Sequence, residues 1–192
     1  MATITIIGTG TMANAIGGVL ANGGNSVAYV AHEQIGTARI EGDIVVLAVP
    51  YPALDGIVSA HADQLAGKTV VDITNPLDFT TFDSLVVPAG SSAAAELQAK
   101  LPASAVLKAF NTTFAATLVS GKVGDLTTTV LIAGDDAEAK QALKSAIEAG
   151  GLTAIDAGSL KRAHELEALG FLQLTLAAGE KISWTGGFGI IR

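Results

Sequence analysis

The chain has 192 residues, a formal charge of −7, 49% hydrophobic and 15% charged residues, and no cysteine. That balance excludes a disordered chain, and the missing cysteines exclude disulfides, thiolate metal sites and a cysteine nucleophile. An acidic chain without any Lys/Arg run is also a poor partner for nucleic acid or an anionic membrane surface.

Taken in chain order, β-branched apolar runs alternate with Ala-rich helical stretches. The start, Met1 to Gly8, has no basic region, so it is no signal peptide, and Thr3–Ile7 predicts the first strand. Met12–Asn22 predicts a helix and Ser26–Val30 the second strand. A third run, Ile44–Val49, leads into Pro50 and Pro52 and is too short to span a bilayer. These features lead to the expectation of a soluble, cytoplasmic protein with no membrane partner. A helix over Ala53–Leu65 and strands over Thr69–Ile73 and Val106–Phe110 follow, with a helix over Ser92–Lys100 between them. Pro76, Pro88 and Pro102 keep the stretch from Thr74 to Ala105 free of long regular elements. Then come a strand over Thr128–Ala133, a helix over Asp136–Ala149 with Asp135 as its expected N-cap, and a strand over Leu152–Ile155. One long helix, Ser159–Ala178, and a terminal strand within Trp184–Arg192 close the chain. The fold expected is α/β: a Rossmann-type, doubly wound, mainly parallel sheet with a shortened second crossover and a long C-terminal helix. Residues 1–192 then form a single dinucleotide-binding domain, with 158–192 as a substrate or dimer appendage.

The first strand runs into Gly8-Thr9-Gly10-Thr11-Met12-Ala13 and then a helix. This is the G-x-G-x-x-A pattern in its confirming strand–turn–helix context. Gly8 makes the tight turn, Gly10 lets backbone approach a pyrophosphate, and Ala13 lets the helix pack closely on the strand. Backbone amides of Thr9, Thr11 and Met12 are the expected phosphate donors, helped by the helix dipole. The position that carries an acid in NAD enzymes, at the end of the second strand, is Ala31 here, followed by His32 and Glu33. Without that acid a 2′-phosphate is not repelled, and His32 can donate to it. NADP is therefore the expected cofactor, with NAD less favoured and Glu33 the contrary sign. Only a dozen residues join Ala31 to Asp43, which shortens the crossover and opens the adenine side.

Ligands of open parallel sheets lie at the carboxyl ends of strands. Those ends carry Ala48-Val49-Pro50-Tyr51, Thr74-Asn75-Pro76-Leu77 and Phe110-Asn111-Thr112-Thr113. The expected cofactor contacts are Ala48, Val49, Pro50, Tyr51, Asn75, Pro76, Leu77 and Asn111. Asn75 and Asn111 would be the polar anchors.

No Ser/His/Asp set can be assembled, and no metal ligand set is found. His61 sits in a polar helical stretch and reads as solvated. His164-Glu165 begins like a zincin motif, but residue 168 is Ala. Asp135-Asp136 is better explained by helix capping than by metal. Lys108 reads as a strand residue facing the sheet edge or a partner. With no catalytic residue assigned, hydride transfer suits the chain, since it depends on orientation more than on a protein acid or base.

These pieces, with Val71-Asp72-Ile73-Thr74-Asn75-Pro76-Leu77, Lys108-Ala109-Phe110-Asn111-Thr112, Ala133-Gly134-Asp135-Asp136 and Asp156-Ala157-Gly158, occur in one order over most of the chain. In them the sequence resembles the NADP-dependent coenzyme F420 reductases, above all their compact bacterial members. It resembles more distantly the nicotinamide domain of membrane ferric reductases. The resemblance implies NADP across the strand ends, hydride exchange with a flavin or deazaflavin-like acceptor, and a homodimer. The family's Ser/Arg-type grip on the 2′-phosphate is Ala31-His32-Glu33 here. A carbonyl or imine reductase, with a proton donor near Asn75 or Lys108, and a non-catalytic NADP-binding sensor are the alternative readings. Leu160, Leu166, Leu169, Leu172 and Leu176 form the apolar stripe expected to serve a dimer.

Overall fold

A computed structural model describes residues 1–191. Five runs of apolar residues form the parallel part of one sheet: β1 (Thr3–Ile7), β2 (Ser26–Val30), β3 (Ile44–Leu47), β4 (Thr69–Asp72) and β5 (Ala105–Lys108). β8 (Thr129–Gly134) joins β5 antiparallel, and β9 (Thr153–Gly158) lies parallel to β8. The order is β2-β1-β3-β4-β5-β8-β9. This matches the Rossmann-type, mainly parallel sheet expected from the sequence. The winding reverses between β1 and β3, and the crevice outside their carboxyl ends is where such sheets bind ligands.

Helices cover both faces. α1 (Thr11–Asn22), α4 (Ala115–Ser120) and α5 (Ala137–Ala149) cover one, while α2 (Leu54–Leu65), α3 (Ala93–Lys100) and the start of α6 (Ala163–Ala178) cover the other. The two-residue alternation of strands divides the core accordingly. Ile4, Ile6, Val46, Val71 and Leu107 pack toward α1 and α5, whereas Ile7, Val45, Leu47, Val70 and Val106 pack toward α2 and α3.

Several expectations need correction. α5 is capped by Asp136, which accepts from the Ala139 N–H at 2.8 Å, and not by Asp135, which accepts from the Leu160 N–H. The last helix starts at Ala163, after a separate 3-10 turn over Leu160–Arg162. Residues 184–191 form no strand, and Arg192 lies outside the described residues. α4 and the small antiparallel hairpin of β6 (Lys122–Val123) and β7 (Leu126–Thr127) were not expected. His61 is not solvated. It is 1% exposed, and its Nε2 accepts from the Gly36 N–H, which pins the short second crossover to α2. No helix among the described residues is long and apolar enough to cross a membrane.

Candidate functional site

The site begins where β1 turns into α1. Gly8 has φ +123°, and a Cβ placed there would lie 2.3 Å from the Ala48 carbonyl oxygen at the end of β3. Only glycine lets the two strand ends come this close. Asn14 braces the turn, its Nδ2 donating to the Thr9 and Gly10 carbonyls. α1 has Gly10 at its N-cap position, with no side-chain cap and no acidic residue in its first turn. The N–H groups of Thr9, Thr11 and Met12 have no partner among the described residues. α3 and α5 differ, since Ser92 and Asp136 cap them. A helix end with free N–H groups and roughly half a positive charge suits an anion. A Cβ on Gly10 would meet nothing within 4 Å, so this residue leaves free the space a diphosphate needs.

From this turn a groove of about 400 Å³ runs past Ala48–Tyr51 at the end of β3 and Ile73–Asn75 at the end of β4. Leu174 of α6 and Phe79 of the loop after β4 also line it. Tyr51 is held by a 2.6 Å hydrogen bond from its hydroxyl to Glu96. That bond to a carboxylate, with burial, pushes the phenol up to about 12, so it stays a neutral donor. The groove continues into an apolar chamber of about 300 Å³ bounded by Met12, Phe110, Asn111, Phe114, Leu174 and Trp184. Trp184 lies on Phe114, with ring centroids 5.0 Å apart. Nothing in the sequence marked this tail residue as a wall of the chamber.

Asn75 and Asn111 meet between groove and chamber. Asn75 Nδ2 donates to the Asn111 carbonyl at 2.8 Å. Asn111 Nδ2 donates to Asn75 Oδ1 and to the Leu166 carbonyl of α6. Both amide orientations follow from these partners. The Asn111 Oδ1 and the Thr74 hydroxyl are buried without any hydrogen bond. Such atoms are rare in folded proteins, and here both belong to residues lining the two cavities. α6 can approach only because residue 170 is glycine: a Cβ there would lie 2.3 Å from Asn75 Oδ1 and 2.8 Å from the Asn111 carbonyl.

Beneath the β4 turn lies a buried charge cluster that overturns the reading of Lys108 as an edge residue. Asp72 and Lys108 are register partners on β4 and β5, and both are fully buried. The Lys108 ammonium donates to Asp72 at 2.7 Å, to Glu167 of α6 at 2.8 Å and to the Thr74 carbonyl at 2.6 Å. Asp72 also accepts from the Thr74 N–H, and Glu167 from the Ala93 and Ala94 N–H groups at the start of α3. Burial pushes the Glu167 carboxyl up, opposed chiefly by the Lys108 charge. Every ammonium hydrogen is committed, so Lys108 holds Thr74 in place and has no proton to offer a ligand.

Among the other residues expected at the site, Gly10, Thr11, Met12, Ala48, Val49, Pro50, Tyr51 and Asn75 line the groove. Gly8 and Thr9 form the turn beneath it. Pro76 and Leu77 do not line it: Leu77 is buried and bridges Leu85. His32 lies just past the end of β2, exposed and without a side-chain hydrogen bond among the described residues. The neighbouring turn is closed by Gln34, which accepts from the Ala31 N–H.

The chain is 32% identical to the F420-dependent NADP reductase of Methanocaldococcus jannaschii over 153 residues, covering 78% of this chain and 68% of that protein. It belongs to that family. A solved protein of Arthrobacter sp. FB24, named as a candidate F420-dependent NADP reductase, superposes with a TM-score of 0.84 at 25% identity over the whole of both chains. The rat metalloreductase STEAP3 is 41% identical over 108 residues, which cover 56% of this chain and only 21% of that protein. No family model matches the chain.

Proposed function

We propose that the protein is an NADP(H)-dependent oxidoreductase that passes hydride between nicotinamide and a flavin- or deazaflavin-like acceptor. One observation carries this reading: the uncapped, glycine-gated start of α1 opens into a groove that continues into an apolar chamber, and among the described residues Tyr51 is the only titratable side chain lining either. The residues fit the cofactor. Gly10 leaves room for the diphosphate, the Thr9, Thr11 and Met12 amides donate to it, and the Thr74 hydroxyl and Asn111 Oδ1 await polar partners. When bound, the reduced nicotinamide supplies the hydride. The chain itself orients and excludes water. Leu174, Phe110, Phe114 and Trp184 keep the chamber dry, and the Asn75–Asn111 pair fixes the junction between cofactor and acceptor. Tyr51, held neutral up to about pH 12, offers no ready proton, and Lys108 is spent on three acceptors. An acceptor that stabilises the incoming electron pair itself therefore suits the site better than a plain carbonyl, which needs a proton donor.

We assign contact with the 2′-phosphate to His32, a reading supported by its exposure just past the end of β2. The acceptor class comes from the named relatives and from the size of the chamber. The M. jannaschii and Arthrobacter proteins are named for F420, and the same chemistry is assigned here to a flavin or deazaflavin. We further propose a homodimer, since Leu172, Trp184, Phe188 and Ile191 are 49%, 51%, 41% and 82% exposed along α6 and the tail. Leu160 and Leu166 of the expected stripe are buried in the chain's own core and take no part. Sedimentation at rising concentration tests the dimer, and a monomer throughout refutes it. For the activity, NADPH is mixed with FMN, FAD or F420 and nicotinamide absorbance is followed, alongside calorimetry of NADPH and NADH. The expected result is binding, tighter for NADPH, and turnover with at least one acceptor. No heat with either coenzyme refutes the reading.

A further inference from the structure

The loop between β4 and α3 holds an exposed aromatic side chain at the groove. Phe79 is 59% exposed, yet it lines the groove that starts at the α1 turn. The loop is built to hold it there. Leu77 bridges Leu85, the Asp78 N–H donates to the Ser84 carbonyl, and the Phe82 N–H returns to the Asp78 carbonyl at 2.8 Å. The Asp78 carboxylate accepts from the Thr80 and Thr81 N–H groups and the Thr81 hydroxyl. Phe82 adopts φ +55°, a conformation disfavoured for a bulky residue. It meets Phe79 edge to face, with centroids 5.6 Å apart and planes at 89°. A small bridged loop thus spends backbone strain to fix the plane of an aromatic ring that stays largely in water. An exposed aromatic clamped at the mouth of a ligand groove gains its packing only when something flat lies against it.

We propose that Phe79 is a ring-binding residue: it covers the outer face of an electron-poor aromatic ring lying over the ends of β3 and β4. The inference rests on the oxidoreductase reading and deepens it. The inner side of that space is formed by Ile73, Thr74 and Asn75, and Leu174 of α6 closes a neighbouring side. The face of a phenyl ring is its negative pole, so it favours an electron-poor partner. Two ligands present such a ring, the nicotinamide of the coenzyme and the tricyclic ring of the acceptor. Asp78 is a positioning residue, since it lines neither cavity and sets the turn that carries Phe79.

The test uses the full chain with Phe79→Ala, Phe79→Leu and Phe79→Tyr. Calorimetry gives the Kd of NADP⁺ and NADPH, and steady-state turnover gives the KM for FMN. The expected result is a rise of about tenfold for Ala and Leu in one of these constants, with Tyr within about twofold of the parent chain. A raised coenzyme Kd, larger for NADP⁺, whose nicotinamide ring is cationic, places the nicotinamide under Phe79. An unaltered coenzyme Kd with a raised KM places the acceptor ring there. Asp78→Ala should move the same constant in the same direction. The proposal is overturned if Ala leaves all three constants within about twofold, or if Leu behaves like the parent. Coenzyme binding by the parent chain separates these outcomes from failure of the oxidoreductase reading itself, which predicts that binding.

Discussion

Gly8 and Gly10 stand two residues apart and answer to different constraints. At Gly8 the backbone conformation and the Ala48 carbonyl forbid a side chain. At Gly10 φ is −75°, ordinary for any residue, and a Cβ would stand in open groove. Gly8→Ala should therefore destabilise the fold by about 1–3 kcal/mol or more, through strain and the clash between β1 and β3. Gly10→Ala should leave the melting temperature almost unaltered and weaken NADPH binding by about tenfold or more, because the methyl occupies the diphosphate's approach. Thermal melts and calorimetry on the two variants decide the matter. Equal loss of stability in both would mean that Gly10 serves the fold and not a ligand.

At the scale of elements, α6 shapes the site more than its sequence suggests. Its Leu166 carbonyl, Glu167 carboxylate and Gly170 backbone reach the Asn75–Asn111 pair and Lys108. Gly170→Ala would drive a methyl into Asn75 Oδ1, forcing α6 outward. The expected cost is about 1–3 kcal/mol in urea unfolding, together with a raised KM for the acceptor as the chamber changes shape. A variant with unaltered stability and KM would show that α6 has slack at this point. None of these contacts could be read from the sequence, because they join residues 55 to 95 positions apart. The central parallel strands β1, β3, β4 and β5 were legible because each is a largely apolar run buried on both faces. Their order past β5 was not, since an apolar run carries no sign of direction and β8 runs antiparallel. α4 spans six residues, too few for a helical period to show. The glycine turn was readable because each small residue answers a local steric demand. Lys108 did leave a signal that was misread: a lone cation in the run Val106–Phe110 faces a lone anion in Thr69–Ile73. Opposite charges in adjacent buried strands point to an internal pair, not to an edge.

For the whole molecule, that cluster is where the two sheet strands, α3 and α6 are tied together, and it makes stability depend on pH. Two carboxylates share one ammonium without access to water, and the start of α3 supplies two N–H groups to Glu167. Removing the cation leaves both anions facing each other, so Lys108→Met should cost about 3–5 kcal/mol. The pH effect comes from Glu167. Burial raises its folded-state pKa above the ordinary 4.5, so the folded chain holds this proton more tightly than the unfolded chain. Its contribution is then fully present below pH 4.5 and is lost as pH rises through the folded value. Asp156, held low by Lys140, acts in the opposite sense, and its partial exposure to water screens the effect. Glu167→Gln removes the titration while keeping an oxygen for Lys108. The free energy of unfolding of the parent minus that of this variant should therefore fall as pH climbs from 4.5, with a slope of at most about 1.4 kcal/mol per pH unit, the limit for one proton. Urea titrations of both chains at a series of pH values measure that difference directly. A difference that stays level, or that grows with pH, would mean that the Lys108 charge outweighs burial and holds Glu167 ionised throughout.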